Sequence, residues 1–288
     1  MKFLERFSET IYRAAARKPL ARFEAFSIDK VLASSLSILD EESKVEIRNY
    51  LKNQLSPEGG FKDRGGKADI YYTLFGYLVS ETLGLNGLTG LIRGFVESEI
   101  TNKQLSTVHM HCAAILAAKL QISDNYLNAG VRVSIRDEMD KQPAYRTFLN
   151  LLTCYYINDF EGLYRVSRRM EQSGDGKSLP CPVNAALLII RHSFNRRIDE
   201  IIDEIWSFYD GGGGFRAVKS APLSDLLSTA VSLYALRFAG VDLRRIRPQC
   251  LEYVDGLYNN GGFAANRIDS DPDTEYTFYG LLALGALS

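Results

Sequence analysis

The stretch QLSPEGGFKDRGGKADIYYTLFGYLVSETL, Gln54–Leu83, decides how the rest of the chain is read. Two later stretches repeat its plan: YDGGGGFRAVKSAPLSDLLSTAVSLYAL at Tyr209–Leu236 and NNGGFAANRIDSDPDTEYTFYGLLAL at Asn259–Leu284. Each runs Gly-Gly-Phe, a polar loop with a basic residue, Asp-x-x-x-Thr, then an apolar run rich in small residues. The Asp and Thr pairs are Asp69 and Thr73, Asp225 and Thr229, Asp273 and Thr277. Self-similarity of this kind identifies a repeat architecture before any single residue is interpreted.

Working outward, the Gly pairs end one helix and the Asp starts the next, its carboxylate accepting the orphan N–H groups of the first turn. Apolar helices begin near residues 69, 106, 144, 182, 225 and 273, each preceded by an amphipathic, charged partner. The step is roughly 40 residues, the size of a helix-hairpin repeat, and about six hairpins account for nearly the whole chain. No segment shows sustained period-2 alternation, so the spacing predicts an all-α protein. Inner helices that touch neighbours all round and outer ones that face water explain the two helix types. An open solenoid has the same period, but its end repeats are polar caps. Here the last helix, TFYGLLALGALS, is apolar throughout, which predicts a closed ring. No linker divides the chain, so residues 1–288 read as one domain.

With 46% hydrophobic residues the chain is rich enough for a sizeable core, and a net charge of -1 argues against nucleic-acid binding. Cys112, Cys154, Cys181 and Cys250 are scattered without a CxxC, which predicts reduced thiols and a cytoplasmic protein. The basic, amphipathic start, MKFLERFSETIYRAAARKPLARFEAF, lacks a secretory h-region and reads as a packing helix in preference to a membrane anchor. No run approaches the roughly 20 apolar residues of a membrane span.

Six hairpins with Gly-Gly-Phe loops resemble the α/α toroid of protein prenyltransferase β subunits and terpene cyclases. Tyr50, Leu51, Gln54, Gly59 and Phe61 resemble the cyclases' QW motif, with Phe in place of Trp. The first loop is similar to the prenyltransferase pattern GGF-x-G-R-x-x-K, which implies that Arg64 and Lys67 hold a prenyl diphosphate. A guanidinium fork and a point-charge ammonium suit the closely spaced oxygens of that group. Arg216 with Lys219, and Arg267, are weaker candidates for the same role.

The family's zinc cysteine falls on Tyr71, Leu227 or Glu275, and its zinc histidine on Tyr72, Ser228 or Tyr276. A zinc-thiolate site of that type is therefore not supported; magnesium is compatible with a diphosphate, and no cofactor is fixed. Class II cyclases protonate an alkene with the middle Asp of Asp-x-Asp-Asp. The matching stretch here is Asp273-Thr274-Glu275-Tyr276, so the resemblance implies Glu275 as the acid, with Asp273 beside it.

Each sharp reading has a plainer one. Asp69, Asp225 and Asp273 read most simply as helix caps, since a repeated structural job needs a repeated residue. Arg64 and Lys67 also fit a solvated loop. His109 and His111 lie at i and i+2, where helical side chains diverge, so both read as hydrogen-bonded cavity residues before metal ligands. The many tyrosines are core by composition, but Tyr71, Tyr72 and Tyr276, near inner-helix starts, are positioned to line an apolar pocket for an isoprenoid. One Trp, Trp206, leaves little for sugar stacking. Two functions follow: an isoprenoid-processing prenyltransferase- or cyclase-like protein, or a non-catalytic toroid scaffold that keeps its motifs for folding and binds a protein partner.

Overall fold

The computed structural model describes residues 21–102, 104–137, 144–173 and 179–288. The basic stretch at residues 1–20, read above as part of a packing helix, lies outside the described residues. After α1 (Ile28–Ser35), helices follow in outer–inner pairs. α2 (Glu41–Gln54) precedes α3 (Ile70–Thr82), α4 (Thr89–Asn102) precedes α5 (Thr107–Leu120), and α6 (Asn125–Asp137) precedes α7 (Ala144–Tyr156). α8 (Phe160–Ser173) precedes α9 (Cys181–Ser193), α10 (Asp199–Trp206) precedes α11 (Leu226–Phe238), and α12 (Arg247–Asp255) precedes α13 (Thr274–Ala286).

The second members form the inner ring: α3, α5, α7, α9, α11 and α13 pack in that order, and α13 returns to α3. Closure explains the two helix types read from sequence. In α13 every residue but Glu275 and Tyr276 is buried, whereas the outer α2 buries only Ile47, Tyr50 and Leu51. The protein is an α/α toroid. Against the all-α expectation there is one small addition among the described residues, an antiparallel ribbon of β1 (Tyr258–Asn259) and β2 (Gly262–Phe263). Two-residue strands are too short to show alternation in sequence.

The repeated motif is a hydrogen-bond circuit. The Phe61 N–H donates to Thr73 Oγ1 (2.9 Å), that hydroxyl donates to the Asp69 carbonyl (2.6 Å), and the Asp69 N–H returns to the Phe61 carbonyl (2.9 Å). Phe215, Thr229 and Asp225 repeat it, as do Phe263, Thr277 and Asp273. The fixed Asp-x-x-x-Thr spacing follows, because only the residue one helical turn on reaches back to the capping residue's carbonyl. Gly261 serves a second purpose. Its φ is +87°, and a Cβ there would lie 2.5 Å from the Glu46 carbonyl of α2, so the last loop seats directly on the first outer helix. Gly59 and Gly213 sit in the same way against the Leu91 and Gln249 carbonyls.

Candidate functional site

The inner helices start at one end of the ring, and their capping loops touch there. Arg64 reaches from the first loop to the last, and the Leu226 N–H donates to the Ala265 carbonyl (2.8 Å). Asp69 caps α3 by accepting from the Tyr71 and Tyr72 N–H groups (2.7 and 3.2 Å), Asp225 caps α11, and Asp273 caps α13. The plain reading of the three aspartates as caps describes this geometry.

Inside the ring lies an apolar cavity of about 290 Å³. Its walls include Tyr71, Leu74, Phe75 and Leu78 of α3, Ile115 of α5, Leu152 and Tyr156 of α7, and Val231 of α11. Phe278 and Tyr279 of α13 complete an aromatic side, with the Phe75 ring tilted against Phe278 at 5.0 Å and Tyr279 at 5.8 Å. The volume sits near the lower end of ligand pockets, which run from about 300 to 1,000 Å³.

At the helix-start end the cavity meets a polar cluster. The Tyr71 hydroxyl, on the cavity wall, donates to Glu275 Oε1 at 2.6 Å. Burial, with the negative charge of Asp273 adding to it, raises the Glu275 carboxyl to about 7 against the opposing Tyr71 hydrogen bond and Arg64 charge. Glu275 therefore holds its proton to much higher pH than an exposed glutamate does. Asp273 is also raised by burial, restrained by the Tyr276 N–H and by Arg64. Cys112, wholly buried and raised by burial, feels the charges of Asp69 and Glu275.

Of the residues expected at the site, Arg64, Tyr71, Asp273 and Glu275 come together from opposite ends of the chain. Arg64 Nε donates to Asp273 Oδ2 (2.8 Å) and Nη1 to Asp269 Oδ2 (2.6 Å), with the guanidinium 5.7 Å from the Tyr276 ring. Lys67 is exposed on the same loop and makes no ion pair among the described residues. Tyr72 and Tyr276 stand beside Tyr71 and Tyr279 without joining the cavity wall. Lys219 pairs with Glu204 of α10 at 2.8 Å and lies off the cavity.

The two histidines separate as their spacing implies. His109 Nε2 lies 3.4 Å from Asp69 Oδ2, while buried His111 contacts Thr153 Oγ1 (3.0 Å) and Ser134 Oγ (3.4 Å). Among the described residues no three His, Cys, Asp or Glu side chains gather into a metal-holding group, and no helix is long and apolar enough to cross a membrane. Sequence reading missed Asp269, which has no local signal: it reaches Arg64 only because the ring closes.

The family model for the prenyltransferase alpha-alpha toroid domain matches residues 12–126 and 183–288. The unmatched interval falls in the middle hairpins, which carry no Gly-Gly-Phe. Comparison with curated proteins and with solved structures finds no match.

Proposed function

The chain belongs to the prenyltransferase alpha-alpha toroid family, and from that premise we propose that it binds an isoprenoid chain in its central cavity. Glu275 is the general acid of the reaction. The observation that carries this is the Tyr71–Glu275 pair: a carboxyl raised to about 7 and hydrogen-bonded to the hydroxyl of Tyr71, which itself lines the apolar, aromatic cavity, while Glu275 stands just behind that wall. With Tyr71 donating to Oε1, Oε2 is left to carry the proton. Addition of that proton to an alkene forms a C–H bond and leaves a carbocation on the neighbouring carbon. The faces of Tyr71, Phe75 and Tyr279 offer ring quadrupoles to such a cation, which then loses a proton or is trapped by a second double bond of the same chain.

A diphosphate on the ligand would take Lys67 directly, but Arg64 only by displacing Asp269 and Asp273. A second reading, a folding scaffold without chemistry, draws support from the hydrogen-bond circuits, which account for the repeated Asp and Thr, and from the seating of Gly59, Gly213 and Gly261 on neighbouring backbone carbonyls. It leaves unexplained Glu275, which stands in one repeat only, and the cavity beside it.

Thermal shift with farnesyl and geranylgeranyl diphosphate and the corresponding alcohols, with and without magnesium, tests binding. Stabilisation by diphosphates and alcohols alike supports the cavity. Loss of the diphosphate shift alone in the Arg64→Ala/Lys67→Ala double variant assigns the head group to the first loop. Product formation that survives Glu275→Gln would end the proton-donor assignment, and no shift with any of these ligands favours the scaffold.

A further inference from the structure

The end of the ring opposite Glu275 is crossed by residues 21–35, and this segment touches every inner helix. Arg22 donates to the His192 carbonyl at the end of α9. The Phe23 ring lies 5.9 Å from Tyr155 of α7 and 5.4 Å from Phe238 of α11. Asp29 accepts from Lys119 Nζ of α5 (3.0 Å) and from the Tyr156 hydroxyl of α7 (3.2 Å). The Val31 carbonyl presses on Gly285 of α13, where a Cβ would lie only 1.8 Å away, and α1 also packs on α3.

Among the described residues that line the cavity, Ile28 alone comes from outside the inner helices. It is the first residue of α1, directly after the Ser27 cap, and is 3% exposed. We infer that residues 21–35 are the floor of the cavity and that Ile28 sets the greatest length of hydrocarbon it admits. The inner helices supply the walls; depth is decided by a separate segment packed across their ends. For isoprenoids the inference rests on the reading proposed above, whereas the floor itself is a property of the cavity and is tested without them.

The test is calorimetric binding of straight-chain alcohols, hexanol to hexadecanol, to the intact protein. Affinity rises about fourfold per added methylene while the chain has apolar wall to cover, then levels off where it meets Ile28. In Ile28→Ala the levelling moves to a longer alcohol, so the first alcohol beyond the wild-type limit binds the variant about fourfold tighter. In Ile28→Phe it moves to a shorter one. Val231→Ala, which trims a wall, leaves the limit where it is.

A limit unchanged in Ile28→Ala, a limit moved equally by Val231→Ala, or no binding of any alcohol overturns the inference. Isoprenoid binding with an unmoved limit removes the floor and keeps the functional reading. A moved limit with no isoprenoid binding does the reverse.

Discussion

Gly261, in the last Gly-Gly-Phe loop, rests on the backbone carbonyl of Glu46 in the first outer helix, and this contact joins the two ends of the repeat into a ring. An alanine at Gly261 meets two penalties, a left-handed φ and a backbone carbonyl inside contact distance. Gly66 has a similar φ, +81°, but nothing within 4 Å of its would-be Cβ. Gly66→Ala is expected to cost about 1 kcal/mol and Gly261→Ala roughly 3 kcal/mol. Urea unfolding of the two variants measures the difference. Equal losses would mean that the seam between last and first repeats does not bear on stability.

The three threonines of the circuits are expected to behave alike. Thr73→Val, Thr229→Val and Thr277→Val each keep the side-chain shape but leave a buried Phe N–H without its acceptor. The Asp carbonyl keeps the helical N–H of the same residue, as in Thr277 N to Asp273 O at 2.9 Å. One unsatisfied buried donor costs about 1–3 kcal/mol. Similar losses at all three sites fit a folding role; a much smaller loss at one would single that repeat out.

The parts of this protein legible in sequence were those written locally. Helix starts at Asp69, Asp225 and Asp273 followed from cap chemistry, and ring closure followed from the apolar last helix. The site was legible only as a set of residue types. Tyr71 and Glu275, or Arg64 and Asp269, lie some two hundred positions apart, and no periodicity says which side chains meet once the first and last hairpins become neighbours. Lys219 shows the converse. Its loop repeats the first loop's pattern, yet Glu204 of its own hairpin holds it outside the ring. The floor was hidden for a similar reason: an amphipathic stretch announces that it packs, not what it packs across.

Arg64 and Lys67 are expected to part company when each is replaced by alanine. Asp273 is 6% exposed and keeps only the Tyr276 N–H as cap partner once Arg64 is gone. Since the Arg64 side chain is 43% exposed, solvent screens the pair, and Arg64→Ala is expected to cost about 1–2 kcal/mol. Lys67→Ala is expected to stay within about 0.5 kcal/mol of wild type. Chemical denaturation of both variants decides it, and equal effects would mean that the bonds from Arg64 to Asp269 and Asp273 contribute nothing.

Glu275 is expected to leave its mark on the pH dependence of stability. Its carboxyl titrates near 7 in the folded protein against 4.5 as a free side chain, so between those values the folded state holds a proton that the unfolded state has released. Stability must then fall as pH rises through this window. The contribution is complete below about pH 4.5 and gone above pH 7, on the order of 3 kcal/mol in all. Glu275→Gln removes the titration, so the difference between wild type and variant should slope with pH in this window and be flat above it. Tyr71→Phe makes the assignment sharper. It deletes the hydrogen bond that favours the carboxylate while leaving the carboxyl buried, so the upper end of the window should move to higher pH. A Tyr71→Phe profile that overlays wild type would show that the 2.6 Å bond between these two side chains is not what tunes the acid.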